Sequence, residues 1–468
     1  MHDLPPIVFD FGIIGILIVG IARFTSVRTA RGGNLLAALA LALAVAAVLL
    51  RDGLETWIVV LVATSIGSVA GLIVAKRVSM IQIPGLVAFQ HGAGGVAAFL
   101  ISFIELQRID ASGPSVAKVA GVVGAFIGAA TFAGSVIASG KLFGKLRQQP
   151  TVLVGHNPFL LVLVAGSIGA GAFVVSGGPG VALPGTLVLI GLAAVFGWGI
   201  AIRVGGADMP VLISFLNASA GLAAAFCGVI IESQLLVAFG ATVAASGSIL
   251  THMMCRAMNR SLLNVFKGLG SAPSSAAKRP GAEISQPAQS ASAPEESASL
   301  MERAISSMRE AKTAIIVPGY GMALGQAQFE VVRLARLLAD RGAEVRFAVH
   351  PVAGRMPGHM NVLLAEAEAS YEDLIEMDDA NPRFKDTDVV LVVGACDVVN
   401  PAASTTEGTP ISGMPILRAH EARQVVVCNL NEKAGYSGVP NQLYERPGVI
   451  MLFGEAKATV TALLEGMG

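Results

Sequence analysis

The sequence predicts two domains of different kinds: an α-helical membrane domain of about nine transmembrane helices, then a C-terminal α/β domain on a doubly wound parallel sheet. Three observations predict this. First, 54% of the 468 residues are hydrophobic and only 14% are charged, with a mean hydropathy of +0.69, whereas an ordinary soluble domain carries about 25% charge. Second, the charge is divided unevenly. Residues 1–270 hold 15 Lys/Arg and 8 Asp/Glu, a balance of +7, and residues 271–468 hold 17 and 24, a balance of −7. Third, short β-branched runs alternate with helical spacing after residue 312, the pattern of a parallel sheet with crossover helices.

Along the first half, nine apolar stretches approach the ~20 residues a helix needs to cross hydrocarbon: 7–22, 34–50, 56–75, 84–105, 116–140, 158–176, 182–204, 209–231 and 235–255. Alternation of polar and apolar residues is absent, which argues against a transmembrane barrel. One set of loops carries Arg23, Arg28, Arg31, Lys76, Arg77, Lys141, Lys145, Arg147, Arg203, Arg256, Arg260 and Lys267, and the other only Arg51, Arg108 and Lys118, or 12 against 3. The positive-inside bias therefore predicts an outward N-terminus and a cytoplasmic C-terminal half. The first stretch has no basic residue before its apolar run, so it reads as a helix rather than a cleavable signal. GAGG (92–95), GVVGAFIGAATFAG (121–134) and GSIGAGAF (166–173) supply small faces for close helix packing.

Three polar residues in this half bear on function: His91 in the fourth stretch, Asp208 at the cytoplasmic entrance of the eighth, and Asn217 nine residues further on. Ionisable groups at membrane depth are costly and usually face a wet cavity or a partner, and histidine exchanges a proton near neutral pH. A proton relay is the functional reading. The structural alternatives are a histidine satisfied by a neighbouring carbonyl and an aspartate that starts a helix.

Residues 271–299 contain 8 Ser, 8 Ala and 4 Pro, a composition that cannot bury a core and predicts a tether with a reach of roughly 30 Å. We place the tether at 269–305, between a membrane domain at 1–268 and a soluble domain at 306–468. Residues 300–312 have helical spacing. Strand-like runs follow at 313–317, 345–351, 388–395, 423–429 and 448–454, with helical patterns at 329–342 and after 454.

The first strand is followed by a glycine turn, Gly319-Tyr320-Gly321-Met322, and then a helix. This is a Rossmann-like βαβ unit, in which glycines permit a tight turn and helix-start N–H groups meet a pyrophosphate. Loops after the strands, 350–361, 394–403, 429–439 and 454–457, gather on the edge where open parallel sheets bind ligands. His350 and Arg355, rather than an acid, follow the second strand, a pattern that favours NADP over NAD. The two histidines of HPVAGRMPGH lack a third ligand, the four cysteines form no C-x-x-C pair, and no basic block suggests nucleic acid. A single dinucleotide fingerprint means that a chain transferring hydride between two nucleotides needs a partner. The competing reading is a channel or transporter regulated by a cytosolic dinucleotide sensor, although no potassium-type filter or clear half-helix repeat is present.

The segments IPGLVAFQHGAGG (83–95), GGADMPVLISFLN (205–217), MCRAMNRS (254–261), PGYGMALGQAQ (318–328), HPVAGRMPGHMNVLLAEA (350–367), GACDVVNPAA (394–403) and GYSGV (435–439) resemble the beta subunits of proton-translocating NAD(P) transhydrogenases. The resemblance spans nearly the whole chain apart from the tether. It implies a proton-conducting membrane domain, an NADP(H)-binding domain here, and an alpha subunit that brings NAD(H). It further implies a dimer of alpha–beta units in the bacterial inner membrane, in which inward proton movement drives hydride from NADH to NADP⁺.

Residue by residue, His91, Asp208 and Asn217 match the family's membrane positions, and Asp397 matches an acid whose protonation is linked to the nucleotide. Gly319, Tyr320, Gly321 and Met322 fall in the nucleotide turn. Val352, Ala353, Gly354, Arg355, Met356 and Pro357 form the second loop, with Gly394, Ala395 and Asn400 on the third and Met414 beyond it. Gly435 to Gly438, with Tyr436 among them, belong to a lid over the nucleotide, and Glu455 and Ala456 to the last loop. The departure is Asn429-Leu430-Asn431, where the family has Lys-Arg-Ser for the 2′-phosphate. Phosphate recognition normally uses cations. Lys433 or Arg355 is then the expected substitute, with Lys433 the cation left in that loop, unless the cofactor preference itself has changed.

Overall fold

The computed structural model describes residues 4–23, 27–51, 57–109, 114–177, 179–205, 208–267 and 294–468. The tether expected before residue 294 and the glycine–alanine pair preceding Asp208 lie outside these. Among the described residues the membrane part folds into nine long helices: α1 (Leu4–Ala22), α2 (Val27–Arg51), α3 (Trp57–Arg77), α4 (Ile83–Arg108), α5 (Ser115–Leu142), α6 (His156–Ser176), α7 (Pro179–Arg203), α8 (Met209–Ile230) and α9 (Gln234–Ala257). Eight of them, α2 to α9, are long and apolar enough to cross a membrane, while the apolar part of α1 is shorter, Val8–Ala22.

The chain divides into two compact units. One holds residues 1–146, 153–201 and 214–249, and the other holds 147–152, 202–213 and 250–468. In the first, small residues let backbones meet, as sequence composition predicts. A Cβ on Gly95 of α4 would lie 2.6 Å from the Gly128 carbonyl of α5, so neither position tolerates a side chain. α1 and α2 are clasped by Arg51, which donates to both carboxylate oxygens of Asp10 at 2.8 and 2.6 Å. This two-pronged geometry is the strong form of the ion pair.

The second unit carries α10 (Leu262–Lys267) and α11 (Pro294–Glu310) before the sheet. α11 begins inside the stretch whose composition reads as tether. A proline at a first helical position loses no hydrogen bond, and Ala304 and Met308 further along are buried, so this part of the tether is structured.

The sheet strands are β1 (Thr313–Pro318), β2 (Glu344–Val349), β3 (Leu374–Glu376), β4 (Val389–Val393), β5 (Gln424–Asn429) and β6 (Val449–Phe453). They lie in the order β3-β2-β1-β4-β5-β6, every pair parallel. Helices α12 (Tyr320–Leu324), α13 (Gln328–Asp340), α14 (His359–Glu366), α15 (Met377–Ala380), α16 (Ala402–Thr405) and α17 (Ala456–Met467) complete the domain. The strands are continuous Val/Ile/Leu runs because both faces are covered. Val390, Val392, Val427, Phe384 and Leu417 form a core with no exposure. Strand order reverses between β1 and β4, and at such a switch point the connections leave in opposite directions and open a crevice at the strand tips.

Candidate functional site

At the switch point two backbone turns interlock. Gly319 donates its N–H to Val393 O and Gly321 donates to Gly394 O, each at 2.8 Å. A Cβ on Gly321 would sit 2.6 Å from the Gly394 Cα, and Gly394 has φ +65°, a left-handed conformation that favours glycine. The N–H groups of both turn glycines are therefore engaged by the β4 turn instead of being held open for phosphate. What the glycines permit is the closeness of the two turns. Met322, the next residue, is fully buried beneath them.

After β2, His350 accepts the Val352 N–H at Nδ1 over 3.3 Å and faces Pro415 O with Nε2 at 2.8 Å. That pair of contacts fits the neutral ring protonated at Nε2, and burial holds its pKa down to about 4. His359 at the start of α14 accepts the Arg355 N–H over 3.0 Å, and burial with the Arg355 charge lowers its pKa to about 4 as well. Neither histidine is a cation at neutral pH. The Arg355 guanidinium lies 4.5 Å from the Tyr320 ring centroid and 4.9 Å from that of Tyr436. Its Nη2 donates to Gln148 Oε1 at 2.9 Å and to the Tyr436 hydroxyl. Aromatic stacking of this kind suits the flat guanidinium, and Arg355 supports the two tyrosines from behind. Met356 and Pro357 are half-buried in the same loop.

After β4, Asp397 faces the loop from Ala434 to Ser437. Ser437 donates its hydroxyl to Oδ1 at 2.6 Å and its N–H to Oδ2 at 3.1 Å. Burial pushes the carboxyl pKa up, and the donors of Ser437 and the Tyr436 N–H oppose the shift. Burial likewise raises the Cys396 thiol. Asn400, completely buried, donates to Pro440 O at 3.1 Å and accepts from Ala402 N at 3.0 Å and Gln442 N at 3.3 Å. It ties the third loop to the segment after the lid.

After β5, the Asn429 amide turns inward, donating to Ala395 O at 3.0 Å and to the Tyr444 hydroxyl at 2.6 Å. Leu430 is 67% exposed. Asn431 accepts the Lys433 N–H at 3.0 Å, and Lys433 itself is exposed. Glu455 and Ala456 start α17. The Glu455 carbonyl receives the Thr459 N–H, and the Ala456 Cβ packs near Gly325.

These turns surround a cavity of about 730 Å³. Gly319, Tyr320, Gly321, Val352, Ala353 and Gly354 form one side, and Gly394, Ala395, Asp397, Met414, Gly435 and Tyr436 another. Asp208 also reaches the wall, 3.1 Å from Arg260, whose Nη2 lies 3.5 Å from Pro410 O. Beside it Asn259 donates to Ser412 O at 2.8 Å.

Of the residues singled out from sequence, Met322, Arg355, Met356, Pro357, Asn400, Asn429, Lys433, Glu455 and Ala456 stand behind or beside this wall. His91 and Asn217 belong to the other unit. His91 is half-buried on α4, and its Nδ1 finds no partner among the described residues. Asn217 is half-buried on α8. Sequence reasoning passed over Ile411 and the segment Gln148–Pro150, which also line the cavity, and reached Cys396 and Ser437 only as members of their loops. Only the Thr/Gly/Pro richness of residues 405–414 hinted that a shaped loop was present.

Comparison with known proteins gives a consistent picture. A family model described as NAD(P) transhydrogenase beta subunit matches residues 10–466. The NAD(P) transhydrogenase subunit beta of Rhodospirillum rubrum is 38% identical over 464 residues, covering 97% of this chain and 97% of the relative. The same-named protein of Rhodospirillum rubrum strain ATCC 11170 matches to the same extent.

Proposed function

The chain belongs to the NAD(P) transhydrogenase beta-subunit family, and from that membership we propose that its crevice binds one nicotinamide dinucleotide while an alpha subunit presents a second. Hydride passes between the two nucleotides, from NADH to NADP⁺, and inward proton movement through the membrane helices drives the transfer. The working assembly is a pair of alpha–beta units in a bacterial inner membrane, with the N-terminus periplasmic and the sheet domain cytoplasmic. The family's division of roles gives NADP(H) to this chain and NAD(H) to the partner.

The observation that carries this reading is the cavity at the switch point. Its volume falls within the usual 300–1,000 Å³ of a ligand site. It is walled by glycine turns that admit a backbone-close ligand, and it faces a loop held by Asp397. A dinucleotide fits the chemistry of these residues. Gly354, Gly394 and Gly435 present bare backbone on the cavity wall. Tyr320 and Tyr436 offer ring faces, and Met414 an apolar floor. When bound, the nicotinamide supplies the hydride chemistry. The protein's part is to position the ring and close over it.

For the membrane half we propose His91 and Asn217 as proton-path groups, and Asp208 with Arg260 as the element that relates proton occupancy to the nucleotide domain. A buried imidazole nitrogen lacking a described partner supports His91, since an unpaired polar group at that depth needs water or a proton. Chain continuity supports coupling, because α8 and α9 each run from one compact unit into the other. Each elementary charge crossing is worth about 2.3 kcal/mol per 100 mV, enough to shift a conformational equilibrium by roughly fiftyfold.

The test is titration of the purified full-length chain with reduced dinucleotide, followed by addition of alpha subunit and an oxidised NAD analogue. Saturable binding followed by partner-dependent hydride transfer is the expected result. Binding without transfer would leave a nucleotide sensor, and no binding would remove the reading altogether.

A further inference from the structure

A dinucleotide laid across a doubly wound sheet puts one mononucleotide half over β1–β3 and the other over β4–β6. Its adenosine ribose therefore ends at the tip of β2 or at the tip of β5, whichever way round it lies. Selection for a 2′-phosphate requires cations at that tip.

Neither tip provides an open one. At β2 the first polar residue is His350, 1% exposed, fixed between the Val352 N–H and Pro415 O, and neutral. Arg355 beyond it is 5% exposed. Tyrosine rings pack against it at 4.5 and 4.9 Å, and its Nη2 is engaged by Gln148 and Tyr436. At β5 the residues are Asn429, Leu430 and Asn431. Asn429 points into the fold and Asn431 receives a backbone N–H. The next two side chains, Glu432 and Lys433, are both exposed and of opposite sign. Among the described residues that line the cavity there is one cation, Arg260, and it is ion-paired to Asp208. The wall also carries Asp397, so its charge does not favour a further dianion.

We propose that this cavity does not select for a 2′-phosphate and binds NAD(H) and NADP(H) with comparable affinity. The inference rests on the dinucleotide reading above and refines which dinucleotide that site accepts. A charge-assisted phosphate contact is worth about tenfold or more in affinity, so two such contacts would separate the coenzymes by at least a hundredfold. A site without them separates the coenzymes by less than about tenfold.

The experiment is equilibrium titration of the purified full-length chain with NADPH and with NADH, followed by nicotinamide fluorescence, on the natural sequence and on Lys433→Ala. Lys433 is exposed, so its truncation leaves folding intact. The expected result is two dissociation constants within about tenfold of each other, in a ratio that Lys433→Ala leaves in place. A preference for NADPH above tenfold overturns the proposal. A preference that collapses in Lys433→Ala overturns it too, and identifies that lysine as the phosphate holder. Both of these results keep the dinucleotide site itself. Failure of both coenzymes to bind overturns the site and the proposal together.

Discussion

Ser437 grips both oxygens of Asp397: its hydroxyl meets Oδ1 at 2.6 Å and its N–H meets Oδ2 at 3.1 Å. A single carboxylate at the tip of β4 thus holds the loop that carries Tyr436 over the cavity. Removing the hydroxyl in Ser437→Ala keeps the backbone bond and loses the charge-assisted one, which is worth about 1.5–3 kcal/mol. We expect bound dinucleotide to leave at least about tenfold faster, measured by stopped-flow displacement of fluorescent reduced coenzyme. An unchanged release rate would mean the latch does not gate the site.

The same pair predicts a pH dependence. Burial raises the Asp397 pKa above its ordinary value. For a group raised in the folded state, the associated stability is full below the unfolded pKa and is lost as pH rises through the folded one. The ionised form of the buried carboxyl is therefore a cost to the fold, offset by the Ser437 donors. On acidification it takes a proton and gives up part of its acceptor capacity. Coenzyme release is expected to quicken as pH falls through the raised pKa. In Asp397→Asn, which cannot titrate, the profile should be flat. A profile that survives in Asp397→Asn assigns the dependence elsewhere.

His350 carries the opposite sign. Its pKa is lowered to about 4 by burial, so its contribution is complete above the unfolded value of about 6.5 and is lost as pH falls toward 4. The full loss amounts to about 3 kcal/mol. Thermal unfolding of the full-length chain should move to lower temperature between pH 6.5 and 4. In His350→Gln, which keeps a donor for Pro415 O without a titrating ring, that part of the shift should vanish.

Gly394 tests the interlocked turns. A Cβ there would meet the Gly321 Cα at 2.4 Å, at a φ of +65°. Gly394→Ala is expected to push the β1 and β4 turns apart and to lower dinucleotide affinity by tenfold or more, with helix content by circular dichroism unchanged. Wild-type affinity would show that the closeness of these turns does not matter to the ligand.

Much of the fold is legible in the residues themselves, because membrane helices and buried parallel strands both leave long apolar runs. Five of the six strands stand out as such. β3 does not: it is Leu374–Glu376 at the sheet edge, too short for periodicity to register. α14 escapes notice because Gly358, at φ +70°, turns the chain into a helix inside what reads as a single loop. The start of α11 hides in a Ser/Ala/Pro-rich stretch whose composition argues for a tether. At the site, strand-tip glycines are visible because turn chemistry is local, whereas Asp397 stands out only through the family resemblance. The contacts that give Arg355 and Asn429 their roles are not local. Arg355 meets a glutamine 207 positions away and Asn429 a tyrosine 15 away. Arg355 reads in sequence as a phosphate cation, yet in the fold it is stacked beside two tyrosines, an arrangement that leaves no periodic trace.

In the coupling proposed above, proton movement through the helices and events at the strand-tip cavity alter each other's energy. Reconstitution with the alpha subunit in liposomes tests it most directly, by following hydride transfer between coenzymes with and without an imposed pH gradient, alongside His91→Ala. We expect a rate that rises with an inward gradient and falls against an outward one, and a variant that binds coenzyme but ignores the gradient. Transfer at one rate under every gradient, or a His91→Ala protein that responds like the natural one, would contradict it.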